Sequence, residues 1–133
     1  MIILIPAYEP DAQLLEVIGA IRAADSALNL VVVDDGSGPA YRQIFDGARR
    51  AGAHVISHRA NRGKGSALKT GFGFILDRFP GQDVVCADSD GQHSVVDILR
   101  VAGLAGTDAT SMVLTITAAG TYRLSVPSVR ARW

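Results

Sequence analysis

The sequence predicts one α/β domain built on a mainly parallel sheet with right-handed crossovers. Four short apolar runs alternate with four segments in which apolar residues recur at helical spacing. In addition, a cluster of polar or glycine residues follows each apolar run directly. Ligands of open parallel sheets bind beyond the carboxyl ends of the strands. The pattern therefore predicts both the fold class and a ligand site at one edge of the sheet.

The predicted strands are short and mainly apolar, and a continuous apolar run such as Ile2 to Ile5 is typical of a parallel strand covered on both faces. They are Ile2 to Ile5, Leu30 to Val33, His54 to Ser57 and the run that begins at Val84. The predicted helices between and after them are Leu14 to Ile21, Tyr41 to Ala48, Leu68 to Phe79 and Val95 to Ala102.

The last part of the chain is less well specified. Met112 to Ile116 predicts a fifth strand, whereas Thr117 to Trp133 has no helical period and is expected to be irregular. The predicted organisation is one unit over residues 1–106, followed by a poorly specified segment over residues 107–133.

Composition excludes several classes of protein. The 13 basic residues equal the 13 acidic ones, so no nucleic-acid partner is expected. The single cysteine, Cys86, excludes a disulfide framework. The apolar run after Met1 is too short to span a membrane and lacks a basic flank, so neither a transmembrane segment nor a signal peptide is predicted. The expected location is the cytoplasm, with a peripheral position at the membrane also open.

Two carboxylates stand at the end of the fourth predicted strand. If the backbone stays extended, Asp88 and Asp90 project to the same side and repel each other unless a cation joins them. With the side-chain carbonyl of Gln92 they form an oxygen-only set, which suits Mg²⁺ or Mn²⁺. The alternative is a solvated Asp-Ser-Asp-Gly turn.

The glycine-rich stretches do not match the common phosphate-binding fingerprints. Gly36 and Gly38 lack the third glycine of a dinucleotide motif, and Gly65 stands where a Walker motif needs Ser or Thr. Gly71 and Gly73 lie in the third predicted helix, where they are expected to allow close packing on the sheet.

Four motifs in order give the chain a family resemblance. They are Pro6-Ala7-Tyr8-Glu9, Val32-Val33-Asp34-Asp35-Gly36-Ser37, Asn61 to Leu68, and Ala87-Asp88-Ser89-Asp90-Gly91-Gln92-His93. Over about residues 1 to 105 the chain resembles family 2 glycosyltransferases of the GT-A fold, especially the dolichol-phosphate mannose or glucose synthase type. The resemblance implies the Rossmann-like, donor-binding half of that fold. It also implies transfer of a sugar from a UDP- or GDP-linked donor to an acceptor such as a polyprenyl phosphate or a glycan.

The resemblance also implies roles for individual residues. Tyr8 and Glu9 would lie against the base and ribose. Asp34 would accept a hydrogen bond from the base, and Asp35 would shape the same loop. The alternative for Asp34 and Asp35 is a plain turn and helix cap. Lys64 would meet phosphate, unless it is simply solvated. No role is predicted for His54 or His58. The expected nucleotide-binding residues are Pro6, Ala7, Tyr8, Glu9, Asp34, Asp35, Lys64, Asp88 and Ser89, and the expected metal ligands are Asp88, Asp90 and Gln92.

The chain departs from this family after the fourth motif. Members continue with an acceptor-side half, and nothing resembling it, nor a general base, is recognisable in Thr107 to Trp133. A truncated chain, a frameshifted gene or a reduced relative would each give this pattern. A nucleotide-sugar-binding fragment or module without transfer activity is therefore the alternative function, and a different nucleotidyl enzyme on a similar sheet is a third. An uncovered sheet edge would favour a homo-oligomer.

Overall fold

The structure, a computed structural model, describes residues 1–90, 95–105, 111–116 and 120–125. The strands are β1 (Ile2–Ala7), β2 (Asn29–Asp34), β3 (His54–Ser57), β4 (Val84–Cys86), β5 (Ser111–Ile116) and β6 (Gly120–Ser125). The helices are α1 (Gln13–Ala24), α2 (Arg42–Arg50), α3 (Lys64–Arg78) and α4 (Val95–Ala105), with a 3-10 turn at Pro39–Tyr41.

The first four strands form one parallel sheet in the order β3-β2-β1-β4, which confirms the predicted α/β class. The strand order reverses at β1, because β2 pairs on one side of it and β4 on the other. All four strands end at the same edge of the sheet. In such sheets a crevice opens beyond the strand ends at the point of reversal, which here lies between β1 and β4.

Side chains that alternate along the strands form two apolar layers. On one face, Ile3, Ile5 and Val32 pack in a single cluster with buried residues of α1, α2 and α4. On the other face, Leu4 and Val31 pack with buried residues of α3. Because helices cover both faces, β1 and β2 consist of continuous apolar runs.

The approach of α3 to the sheet depends on one of the two glycines that the sequence singled out. A Cβ atom built on Gly71 would lie 2.4 Å from Cδ1 and 2.9 Å from Cδ2 of Leu4, which is fully buried in β1. A Cβ atom on Gly73 would meet nothing within 4 Å. The prediction of close helix-to-sheet packing is therefore confirmed for Gly71 and wrong for Gly73, which lies away from the sheet.

Strands β5 and β6 form an antiparallel pair in which Met112 stands opposite Leu124. The predicted fifth strand is present, and β6 is a strand where irregular chain was expected. The signal for β6 was a short alternation of Tyr122 and Leu124 with polar neighbours, completed by the backbone hydrogen bonds that an adjacent strand supplies. Residues 117–119 and 126–133 of the same predicted segment lie outside the described residues.

Among the described residues, no helix combines the length and apolarity needed to cross a membrane.

The contact between α3 and β1 gives a test of the packing. Gly71→Ala should lower the free energy of unfolding by about 1–3 kcal/mol, because the new methyl group forces Leu4 or the helix to shift within a packed core. The matched control on the same helix, Gly73→Ala, should be neutral or stabilising by up to about 1 kcal/mol, since alanine favours the helix and has free space there. Chemical denaturation measures both changes, and equal effects of the two variants would contradict the packing described for Gly71.

Candidate functional site

A cavity of about 510 Å³ opens at the carboxyl edge of the sheet, where the strand order reverses. Its walls come from the ends of β1 and β4, the loop after β2, the loop after β3 and the first turn of α3. The lining residues are Pro6, Ala7, Tyr8, Asp35, Asn61, Gly63, Lys64, Ala67, Asp88, Ser89 and Asp90. The parallel topology therefore brings residues of four separate sequence motifs into one cavity.

Most of the predicted site residues line this cavity, and two of the described ones do not. Glu9 and Asp34 stand outside the lining, and Gln92 lies outside the described residues, as does His93.

An ion pair joins the two sides of the cavity. Lys64, the first residue of α3, donates from Nζ to Oδ1 of Asp88 at 2.5 Å, and the two side chains are 64% and 26% exposed. Asp88 is placed by the end of β4, where the N–H of Ala87 donates to the carbonyl oxygen of Leu4 at 2.9 Å. Lys64 also stands at a helix N-terminus, which favours anions. One wall of the cavity thus attracts cations and the opposite wall attracts anions.

The donor set of the cavity suits a hard divalent cation that shares its ligands with a phosphate group. Asp88 and Asp90 both line the cavity and offer only oxygen atoms. Within the described residues, no group of three or more His, Cys, Asp or Glu side chains is arranged to hold a metal. Because Mg²⁺ commonly takes one or two carboxylates and fills its shell with water and phosphate oxygens, a two-carboxylate set remains a fitting one.

The loop after β1 carries an unusual backbone conformation. Glu9 has φ of +47°, in the left-handed region that non-glycine residues seldom adopt. Its N–H donates to Oγ of Ser37 at 2.9 Å, which ties this loop to the loop after β2. Tyr8 remains 49% exposed at the mouth of the cavity, and a hydrogen bond and the negative charge of Glu9 raise the pKa of its phenol. Tyr8 therefore presents a neutral aromatic face there.

The paired carboxylates after β2 have different surroundings. Asp34 is the last residue of β2, and its Oδ1 accepts a hydrogen bond from the N–H of Ser37 at 2.9 Å. It lines a second cavity of about 410 Å³, together with Arg42 and Arg59. The predicted contact of Asp34 with a base stays a prediction, and the placement of the two carboxylates favours Asp35 for any such contact.

Asp35 is 3% exposed and accepts hydrogen bonds from three groups of the loop after β3. Its Oδ1 accepts from the N–H of Arg62 at 2.9 Å and contacts Nδ1 of His58 at 2.7 Å. Its Oδ2 accepts from the N–H of Gly63 at 2.8 Å. Burial alone raises the pKa of Asp35, but these three partners outweigh it and hold the pKa below its ordinary value. Asp35 is therefore an ionised carboxylate at neutral pH.

His58 is a residue whose place at the site the sequence analysis missed. Its ring is held between Asp35 and Oγ1 of Thr70, which lies 2.8 Å from Nε2. The available signal was positional, because His58 directly follows β3 just as Asp35 directly follows the neighbouring β2. His54 at the other end of β3 packs against the rings of Phe74 and Phe79.

Gly36 marks the closest approach of the two loops. It has φ of +75°, and a Cβ atom there would lie 2.2 Å from the carbonyl carbon of Ala60 and 2.4 Å from the nitrogen of Asn61. Only a residue without a side chain allows the loop after β2 to touch the loop that carries Asn61 and Gly63 into the cavity.

Comparison with known proteins adds a family to this geometry. Residues 2–125 match the family model described as "Glycosyl transferase family 2". The chain belongs to this family. Its fold is similar to that of S. aureus TarS 1-349, with a TM-score of 0.62 and 22% identity over 84% of this chain and 33% of that one.

Two relatives of this family 2 chain come from Methanocaldococcus jannaschii. The uncharacterized protein MJ1222 is 33% identical over 99 residues, which are 74% of this chain and 39% of that protein. The uncharacterized protein MJ0544 is 30% identical over 104 residues, which are 76% of this chain and 44% of that protein. The chain thus spans less than half the length of these relatives.

The network around Asp35 gives a pH-dependent prediction. Asp35→Asn should lower the free energy of unfolding by about 1–3 kcal/mol at pH 7, because three donors lose a charged acceptor. The folded pKa is depressed, so this contribution is fully present above the unfolded pKa of about 3.9 and is lost as the pH falls through the folded pKa. The difference between parent and variant should therefore shrink in acid.

The matched control for this prediction is Asp46→Asn. Asp46 forms an exposed i,i+3 ion pair with Arg49, so its loss should change stability by less than about 0.5 kcal/mol. Denaturant titrations from pH 7 down to pH 3 measure both variants. A difference between parent and Asp35→Asn that grows as the pH falls from about 4 to about 3, below the unfolded pKa of the carboxyl, would contradict the assignment.

Proposed function

We propose that the cavity binds the nucleoside diphosphate of a sugar donor, and that the chain provides the donor site of a glycosyltransferase. The observation that carries the proposal is the meeting of Asp88, Asp90 and Lys64 with the Tyr8 loop and Asp35 in one cavity of a family 2 chain. A cation-attracting wall and an anion-attracting wall suit a diphosphate with its metal, while the aromatic and carboxylate groups suit a nucleoside.

At the diphosphate end, Asp88 and Asp90 would hold Mg²⁺ or Mn²⁺, with Gln92 as a proposed third ligand. When bound, the ion neutralises charge that develops on the diphosphate leaving group. Lys64 and the first N–H groups of α3 supply positive charge from the opposite wall. The pair between Lys64 and Asp88 would open when the ligand enters, because both partners gain a more highly charged neighbour.

At the nucleoside end, Asp35 has acceptor capacity left after its three hydrogen bonds. A carboxylate offers about four lone-pair positions. Oδ1 takes two donors and Oδ2 takes one, so one position on Oδ2 remains for a ring N–H of the base. The half-exposed ring of Tyr8 would cover the base or ribose. We therefore assign base contact to Asp35 and the support of the neighbouring turn to Asp34.

A polyprenyl phosphate is the proposed acceptor, as the resemblance to the dolichol-phosphate synthase type implies. A hydroxyl nucleophile requires a general base. A phosphate monoester has a second pKa near about 6 and is already anionic at neutral pH, so it would need no such base.

The same observation supports a second candidate function, the binding of a nucleotide sugar without transfer. A panel of UDP, GDP and their sugars with Mn²⁺, measured by calorimetry, would identify the donor. A transfer assay with polyprenyl phosphate then separates the candidates. Product formation that depends on the acceptor indicates the enzyme, whereas donor binding without turnover indicates the binding module.

The metal site gives a direct test, with a control at the opposite end of β4. Asp88→Asn and Asp90→Asn should each weaken Mn²⁺-dependent binding of UDP or GDP at least about tenfold, since a carboxylate ligand of a hard cation is lost. Asp83→Asn, at the amino end of β4, should bind as the parent does. Undiminished binding in EDTA would overturn the assignment.

Lys64 should have opposite effects on two ligands. Lys64→Met should weaken binding of the nucleoside diphosphate several-fold, because a positive charge near the phosphates is lost. The same change should strengthen binding of Mn²⁺ alone, because Asp88 loses its competing ion pair. Isothermal titration with Mn²⁺ alone and with nucleotide plus Mn²⁺ separates the two effects. Weaker binding of both ligands would show that Lys64 serves mainly to support the fold.

A further inference from the structure

The ring of His58 is fixed at both ends within the fold. Nδ1 lies 2.7 Å from Oδ1 of Asp35, and Nε2 lies 2.8 Å from Oγ1 of Thr70 on α3. The side chains of His58 and Asp35 are only 8% and 4% exposed. The backbone of His58 is also held, because its N–H donates to the carbonyl oxygen of Asp34 at 2.8 Å. The ring therefore has little freedom to rotate.

This arrangement determines how the Asp35 carboxylate can turn. The N–H group of Arg62 donates to Oδ1 of Asp35, and that of Gly63 donates to Oδ2. The nitrogen of Gly63 also lies 3.0 Å from Oδ1 of Asn61. Both backbone hydrogen bonds are partly buried, and His58 adds a side-chain partner that is itself braced by helix α3. The ring therefore limits the rotation of the carboxylate together with these two donors.

We propose that His58 is a positioning residue for recognition of the donor base: it holds Asp35 so that one lone pair of Oδ2 stays directed into the cavity. This inference rests on the proposed function of the cavity. His58 does not itself line that cavity, and it acts only through Asp35. The ligand class is a nucleoside diphosphate whose base carries a ring N–H, as uracil and guanine do.

The inference differs from a plain packing role in what it predicts for selectivity. A histidine that only filled space would, when replaced, weaken every ligand of the cavity alike or none. A histidine that orients Asp35 affects only the contact with the base. The diphosphate end, held by Asp88, Asp90 and Lys64, should be unaffected.

Two amide substitutions test the contacts of the two ring nitrogens of His58 separately. The amide nitrogen of asparagine comes close to the position of Nδ1, so His58→Asn keeps a donor for Asp35. The amide of glutamine reaches the position of Nε2, so His58→Gln keeps a partner for Thr70 and loses the contact with Asp35. The probes are UDP and GDP, compared with ribose 5-diphosphate, which lacks a base. All are titrated calorimetrically with Mn²⁺ into the full chain.

His58→Gln should bind the nucleoside diphosphate about tenfold more weakly, the scale of one lost oriented hydrogen bond, and bind ribose 5-diphosphate within about twofold of the parent. His58→Asn should stay within about threefold of the parent for both probes.

The inference would be overturned by equal loss of affinity for both probes in His58→Gln, by equal loss in the two variants, or by no loss in either. A parent that binds ribose 5-diphosphate as tightly as UDP and GDP would also overturn it, while leaving the diphosphate site intact. A parent that binds no probe would instead overturn the proposed function.

A second pair of variants tests the other end of the ring and does not require His58→Gln to fold. Thr70→Val removes the hydroxyl that braces Nε2, and Thr70→Ser keeps it. Thr70→Val should lose about threefold in affinity for the nucleoside diphosphate alone, and Thr70→Ser should match the parent. Identical binding by Thr70→Val and the parent would overturn the inference.

Discussion

The buried carboxylate of Asp35 is the contact on which the shape of the site depends. It lies beyond β2, yet it accepts hydrogen bonds from the backbone of Arg62 and Gly63 in the loop beyond β3. That loop leads directly into α3, whose first residue is Lys64. The position of the cationic wall thus depends on an anion that directly follows β2. Removing the anion would leave three partly buried donors without their acceptor, which is costly.

Other lateral contacts connect the remaining strand ends to this centre. The N–H of Glu9 donates to Ser37, so the loops after β1 and β2 are joined. Gly36 lets the loop after β2 touch Ala60. The ion pair between Lys64 and Asp88 connects the start of α3 to the segment after β4. Each loop is therefore held by a neighbouring loop or helix in addition to its own internal contacts. Such bracing keeps a polar site ordered without filling it with apolar side chains.

The sequence allowed the sheet and much of the cavity to be predicted, because both follow from periodicity. Continuous apolar runs indicated buried parallel strands, and parallel strands bring Tyr8, Lys64 and Asp88 to one edge. Beyond the last residue of a strand, the alternation of side chains between the two faces no longer determines which way a side chain points. Which of Asp34 and Asp35 faces the cavity therefore depended on hydrogen bonds between loops. The same limit explains why His58 was overlooked, since its partners are distant in sequence.

The order β3-β2-β1-β4 also has a consequence for the way the chain folds. Strands β1, β2 and β3 join through local crossovers, whereas β4 must return to β1, and the Met1 amine meets Oε1 of Gln82 across 81 residues. Contacts of such long sequence separation carry a large loop-closure entropy and form slowly. Asp88 and Asp90 follow this fourth strand, which has only three residues. During synthesis at the ribosome, the two walls of the cavity come together only after the fourth strand has docked, so the nascent chain acquires its binding site later than its first three strands.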